Sequence, residues 1–219
     1  MSILSPVWRA KLCGDIGGEA RWQLALDGGE AGLFRKLVAL GSGAAVTVEG
    51  GVEGLMGLGL MADRYQVEAV QGAVEEAVVR LLTVESCGGV LAQSSGSGLV
   101  RIERASRELA LRSFDDFART AGFMEVGEEV LGSLLEDDGL WTDGEDLVFE
   151  SVVRWMKGGE GVEGGEVRGL GLLGKVRFPL MEEGYLAGLL GDVCVELAGL
   201  EELVGEAVVL RRFGREVWG

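Results

Sequence analysis

One stretch of the sequence matches a nucleotide-binding pattern. Residues 169–174 have the form GxGxxG, in which glycines let the backbone approach a pyrophosphate at the start of a helix. With Lys175 the stretch also matches most of the phosphate-binding loop pattern. Val176, however, replaces the serine or threonine that would hold magnesium in that pattern. Since 38 of the 219 residues are glycine, about one chance match is expected. The charged residues 161–168 are also unlike the buried strand that should precede the motif. We therefore expect no nucleotide and no cofactor.

Other catalytic chemistry has few candidate residues. The chain has no histidine and no asparagine, which excludes imidazole-based triads, histidine-ligated zinc and N-glycosylation. Adjacent carboxylates, Asp115/Asp116 and Asp137/Asp138, could perform acid–base work. Among 36 acidic residues such pairs are expected by chance, and we predict that they are solvated. The sequence thus predicts no catalytic residues, no metal site and no enzyme activity.

The cysteines indicate the redox compartment of the protein, and the net charge indicates which classes of partner are disfavoured. Three widely spaced cysteines, Cys13, Cys87 and Cys194, indicate thiols in a reducing compartment. The net charge of −16 disfavours nucleic acid and anionic membranes as partners. No stretch approaches the roughly 20 apolar residues of a membrane span, and the start lacks a secretory pattern. We expect a soluble intracellular protein, cytoplasmic or nuclear.

Charge is distributed unevenly along the chain. Residues 125–146 contain nine acids and no base, whereas Arg101, Arg104 and Arg107 recur at helical spacing. These two regions are either solvated helix surfaces or complementary docking surfaces for protein partners. The sequence alone leaves both interpretations open.

Periodicity predicts a mainly α-helical fold after a small α/β portion. Residues 1–20 show no period and are predicted to be an unstructured leader. Alternation predicts short strands at 22–26 and 46–48, with a helix between them. From residue 55 onward apolar residues recur every three or four positions, as in amphipathic helices.

Two local signals mark the second half of the chain. Thr142 and Glu145 have capping-box spacing, which predicts a helix starting at Thr142 and carrying a stripe that ends at Trp155. Pro179 restricts the residue before it, so residues 177–180 are predicted to form a non-helical corner.

Several segments resemble the BTB/POZ and BACK families. Residues 60–70, LMADRYQVEAV, resemble the "ADRYQV" segment late in BTB/POZ domains, and residues 82–87, LTVESC, resemble the start of the helical extension that follows. Residues 134–140, 145–155 and 176–186 are similar, in order and spacing, to three blocks of the BACK domain. The resemblance implies a partial BTB/POZ-like domain at 21–82, an antiparallel helical BACK domain at 83–205 and a tail at 206–219.

The family resemblance also assigns roles to individual residues. The turn formed by Arg64, Tyr65 and Gln66 corresponds to a region near the cullin-facing surface, although Tyr65 could equally belong to the core. The expected structural core of the BACK domain has seven members: Leu140, Phe149, Val152, Trp155, Phe178, Leu180 and Tyr185.

The function implied by the resemblance is that of a protein–protein interaction adaptor without enzyme activity. Similar proteins are substrate-receptor subunits of cullin-3 ubiquitin ligases, and their partners are the cullin and a substrate. The alternative is a BTB/BACK scaffold, such as those associated with transcription, that never meets a ligase. Only about twenty residues precede the first matched segment. We therefore expect this 219-residue chain to bind cullin-3 weakly or not at all, and not to form the standard BTB homodimer.

Overall fold

Helices provide all of the regular secondary structure in the parts of the chain that the computed structural model describes, residues 27–158, 170–189 and 200–218. The prediction of a mainly α-helical protein is confirmed. The strand predicted at 46–48 is wrong, because residues 44–49 are irregular and the described residues contain no strand that could pair with them. The predicted leader 1–20 and the predicted strand 22–26 lie outside the described residues.

The chain divides into two compact units, Met1–Glu108 and Leu109–Gly219. The described helices of the first unit are α1 (Gly28–Gly41), α2 (Gly51–Arg64), α3 (Glu68–Leu81), α4 (Val84–Ser94) and most of α5 (Val100–Arg112). Those of the second unit are α6 (Phe114–Arg119), α7 (Glu128–Leu135), α8 (Glu145–Met156), α9 (Glu183–Leu189) and α10 (Leu200–Trp218). Three short 3-10 helices belong to the second unit: Ala121–Glu125, Leu170–Lys175 and Phe178–Leu180.

The core of the first unit forms where α1 and α3 pack against α2. Apolar residues at helical spacing on α2 and α3 meet there and exclude water, which is the main source of stability for such helices. The buried members include Leu37, Met56, Leu58, Val70, Val74, Val78, Leu99 and Ile102. The apolar residues at helical spacing on α2 and α3 therefore face this core, except Leu81 at the end of α3, which is 52% exposed.

The core of the second unit contains a cluster of three phenylalanines near the start of the unit. Phe114, Phe117 and Phe123 contact one another edge to face, with ring centroids 5.3–6.3 Å apart. This geometry places the positive edge of one ring against the negative face of the next. The guanidinium of Arg154, on α8, lies 5.8 Å from the Phe123 ring centroid and adds a cation–π contact.

Helix starts follow side-chain capping, but not always at the predicted residue. A capping box is present at α4, where the Thr83 hydroxyl accepts from the Ser86 N–H and the Ser86 hydroxyl accepts from the Thr83 N–H. The capping box predicted at Thr142 is wrong, because α8 begins at Glu145 with Gly144 as its N-cap. The Thr142 hydroxyl instead donates to the carboxylate of Asp115 at 2.6 Å.

Candidate protein-interaction site

The turn between α2 and α3 contains Arg64, Tyr65 and Gln66, which the family resemblance predicts to lie near a cullin-facing surface. Backbone hydrogen bonds from Tyr65, Gln66 and Val67 to the last turn of α2 fix its conformation. Gln66 has a φ of 52°, in the left-handed region that residues other than glycine adopt rarely. The turn is therefore a rigid feature with a defined side-chain direction.

Only two of these three side chains are accessible. Tyr65 is 9% exposed, and its ring packs edge to face on Phe34 with centroids 5.3 Å apart, so its position is that of a core residue. Arg64 is exposed and forms an ion pair with Glu30 at 2.8 Å. The hydrogen bond and charge of Glu30 raise the pKa of Arg64. Gln66 is exposed, so Arg64 and Gln66 are the side chains of this turn that a partner can touch.

Polar residues of α2 and α3 hold the loop that leads into α5. Asp63 accepts a hydrogen bond from the Gly98 N–H at 3.2 Å, and the Gln71 amide donates to the Gly98 carbonyl at 2.8 Å. Gly98 is needed for this close approach, because an added Cβ would lie 1.9 Å from an Asp63 oxygen. The Glu75 carboxylate accepts from the Arg101 N–H at 3.1 Å and so caps α5. The sequence pattern gave only a weak sign of this role, a glutamate beside the apolar stripe of α3.

Four of the seven expected core residues of the second unit are buried. Phe149, Val152, Trp155 and Phe178 are each at most 3% exposed. The Trp155 indole N–H donates to the Val126 carbonyl at 3.0 Å, which satisfies its polar group within the core. Helix α8 thus provides a single buried face to the second unit.

The other three expected core residues differ in position. Leu140 and Tyr185 are half-buried, and Tyr185 packs edge to face on Phe149 with centroids 6.5 Å apart. Leu180 is 68% exposed, so its assignment to the core is wrong.

Residues 178–180 form one 3-10 turn rather than the predicted non-helical corner. Residues two apart in such a turn point in different directions, so Leu180 points outward when Phe178 points inward.

Hydrogen bonds and an ion pair hold the segment 175–177, which leads into this 3-10 turn. The Glu145 carboxylate, which is buried, accepts from the Arg177 N–H at 2.7 Å. The Arg177 guanidinium donates to the Asp137 carbonyl at 3.1 Å. The Lys175 ammonium pairs with Glu136 at 2.5 Å. The lysine of the apparent phosphate loop therefore binds a carboxylate.

The 3-10 helix Leu170–Lys175 overlaps the GxGxxG stretch, and its role in the structure is packing. Leu172 and Leu173 are each 1% exposed. The helix contacts α7 and α8 of the same unit. Gly169 lies outside the described residues. The described part of the stretch thus contributes apolar side chains to the core of the second unit.

One of the carboxylates predicted to be solvated is buried. Asp115 is 9% exposed and accepts hydrogen bonds from the Thr142 hydroxyl and, at 2.8 Å, from the Asp143 N–H. Its partners lie 27 and 28 residues away in the chain, so the local sequence carries no signal for them. Asp115 therefore anchors the segment that precedes α8.

The described residues provide little for metal or thiol chemistry. They contain no group of three or more histidine, cysteine, aspartate or glutamate side chains that could hold a metal ion. Cys87 is buried, and its thiol donates to the Ser106 carbonyl at 3.2 Å. Cys13 and Cys194 lie outside the described residues. No helix within the described ranges is long and apolar enough to cross a bilayer.

Comparison with known proteins identifies the class of the helical region. Residues 87–191 match the sequence model of the family described as BACK, BTB And C-terminal Kelch. This match begins within α4, extends past α9 and lies inside the predicted range 83–205. The region is therefore similar to BACK domains.

Individual relatives extend the likeness upstream of the BACK domain. Kelch-like protein 41 from Rattus norvegicus is 23% identical over 158 residues, which cover 72% of this chain and 26% of the relative. Kelch-like protein 7 from Homo sapiens is 23% identical over 167 residues, which cover 76% of this chain and 28% of the relative. Kelch repeat and BTB domain-containing protein 8 from Rattus norvegicus is 22% identical over 188 residues, which cover 85% of this chain and 32% of the relative. The chain spans about a quarter to a third of the length of these relatives. These matches confirm the predicted resemblance to Kelch-like, BTB–BACK proteins.

Proposed function

We propose that this chain is a non-enzymatic adaptor that links a cullin-3 ubiquitin ligase to a substrate. The observation that carries the proposal is the BACK match over residues 87–191, because in this family the domain is a rigid spacer between the cullin-binding front and the substrate-binding back. The packed aromatic core of the second unit is consistent with a rigid element.

The exposed side chains of the α2–α3 turn are the proposed contact with the cullin. Arg64 and Gln66 are accessible, whereas Tyr65 supports them from the core. The backbone bonds of the turn fix the positions from which both side chains project, which reduces the entropy cost of association. We therefore assign Arg64 and Gln66 a direct role in the contact and Tyr65 a structural role.

The first test is whether the protein binds cullin-3. It should be expressed with whatever coding sequence flanks these residues in its gene, and binding to the purified cullin-3 N-terminal domain should be measured by biolayer interferometry. Binding supports the ligase proposal. No binding contradicts it and favours the alternative, a BTB/BACK scaffold that is not linked to a ligase.

The second test separates the proposed contact from general destabilisation. The variant Arg64→Ala/Gln66→Gly removes both exposed side chains, and glycine suits the positive φ at residue 66. It should weaken cullin binding about tenfold or more, as expected when a central arginine contact is lost. Glu30→Ala is the matched control, because it breaks the same ion pair but keeps Arg64. Equal binding by the double variant and the wild type would exclude this turn as the contact.

A further inference from the structure

Trp141 is an exposed aromatic residue on a firmly held backbone. The residue is 60% exposed. Its backbone N–H donates to the Leu111 carbonyl at 2.9 Å, and the hydroxyl of the next residue, Thr142, donates to the Asp115 carboxylate at 2.6 Å. When the backbone beneath an exposed tryptophan is already fixed, less conformational entropy is lost as a partner covers it, and tryptophans contribute strongly to interfaces.

Two carboxylates without a cationic partner lie beside this tryptophan. Asp143 is exposed, and its N–H donates to the Asp115 carboxylate at 2.8 Å, so the two acids are close together. Neither carboxylate forms an ion pair with any residue that the structure describes. By contrast, neighbouring Asp116 pairs with Arg119 at 3.3 Å. Carboxylates without an ion pair among the described residues therefore belong to the same short segment, and to its anchor on α6, as the exposed Trp141.

The basic residue nearest to Asp115 in the sequence is Arg112, which directly follows Leu111, the residue whose carbonyl binds the Trp141 backbone. Arg112 has an interaction of its own, and it is not among the donors to Asp115. The surface around Trp141 also belongs to the stretch 125–146, which contains nine acids and no base. An acidic partner would be repelled here, whereas a basic partner would be attracted.

We propose that Trp141, Asp115 and Asp143 form a docking surface for an arginine side chain of a basic segment in a partner protein. A guanidinium lies favourably over the face of an indole, and it donates in a bidentate manner to a carboxylate. Asp143 is the accessible carboxylate, and buried Asp115 adds negative charge behind it. Arginine fits this surface better than lysine, because only the planar guanidinium stacks and donates at once. The proposal is independent of cullin binding.

A defined peptide tests the surface. Binding of a blocked hexaarginine peptide to the 219-residue chain should be followed by fluorescence anisotropy at a fixed ionic strength near 0.15 M. Trp141→Ala should weaken binding about tenfold, while Trp141→Phe, which keeps an aromatic face, should weaken it less. Asp143→Asn should also weaken binding, and a hexalysine peptide should bind less tightly than hexaarginine.

Two controls distinguish the surface from non-specific attraction to an acidic protein. Glu202→Gln removes one exposed negative charge from α10, and Val100→Ala truncates an exposed apolar side chain in the other unit. Both should leave hexaarginine affinity within about twofold of the wild type. Circular dichroism should show the same helix content for every variant, because all of these side chains are exposed. Equal affinity of Trp141→Ala and wild type, or no binding by the wild type, would overturn the proposal.

Discussion

Trp155 is the largest side chain in the buried face of α8. It is 2% exposed, and its indole N–H is bonded to the Val126 carbonyl. Trp155→Ala would leave a cavity and an unpaired carbonyl, so we expect a loss of about 3–5 kcal/mol in the free energy of unfolding. Urea denaturation measures this loss. Trp141→Ala, at an exposed tryptophan, is the matched control and should change stability by less than about 1 kcal/mol. A cost below about 1 kcal/mol for Trp155→Ala would show that α8 buries a different face.

Tyr185 should respond to alkaline pH. Burial, followed by the hydrogen bond to Glu150 and its charge, raises the pKa of the Tyr185 phenol above its ordinary value of about 10. In the window above pH 10 the folded protein therefore keeps a proton that the unfolded chain has lost. This contribution to stability is fully present below about pH 10 and is lost as the pH rises towards the folded-state pKa.

Absorbance at 295 nm can report this ionisation directly. The chain has two tyrosines, so a Tyr65→Phe background leaves Tyr185 as the only phenol. We expect its midpoint to lie above that of the unfolded chain in urea. Glu150→Gln should lower the midpoint, because it removes the negative charge that disfavours the phenolate. Identical midpoints of the phenol titration in folded and unfolded protein would contradict the half-buried environment of Tyr185.

At the scale of elements, Glu75 connects α3 to the start of α5. Its carboxylate accepts from the Arg101 N–H, one of the donors that a helix cannot satisfy internally. Glu75→Ala should cost about 1.5–3 kcal/mol, as expected for a hydrogen bond to a charged group. Glu76→Ala is the matched control, because it removes the adjacent glutamate, which forms an exposed pair with Arg80 on the same helix.

Hydrogen exchange gives this prediction a local readout. In Glu75→Ala the amide of Arg101 and its neighbours at the start of α5 should exchange faster, while Glu76→Ala should leave them as in the wild type. Unchanged protection in both variants would mean that the cap from Glu75 does not hold the start of α5.

At the scale of the whole molecule, the 219 residues correspond to about a quarter to a third of each relative. In the BTB family, the dimerising helix and a hydrophobic-x-Glu contact with the cullin belong to a region that precedes the segment resembled by residues 22–70. We therefore propose that an upstream BTB front adds to whatever cullin-3 binding residues 1–219 provide. Fusing a BTB front upstream should strengthen binding and permit dimerisation, measured by sedimentation. Unchanged cullin-3 binding after the fusion would contradict this proposal.

Much of this architecture could be predicted from the sequence, because its signals are local. Helical spacing of Val70, Val74 and Val78 identified the buried face of α3, and the blocks around Phe149 and Phe178 identified the BACK domain. Apolar periodicity determines which face of a helix avoids water whatever it packs against. Composition likewise excluded chemistry that requires histidine.

The tertiary structure decided what depends on distant partners. Asp115 became a buried anchor because Thr142 and Asp143 reach it across nearly thirty residues. The predicted capping residue Thr142 was drawn away from α8 by the same contact. Leu180 lies outside the core because a single 3-10 turn rotates it away from Phe178. The sequence by itself therefore determined the helices, most of their buried faces and the resemblance to BACK domains. Polar anchoring and the exposure of Trp141 and Leu180 depend on long-range geometry, which no local pattern encodes.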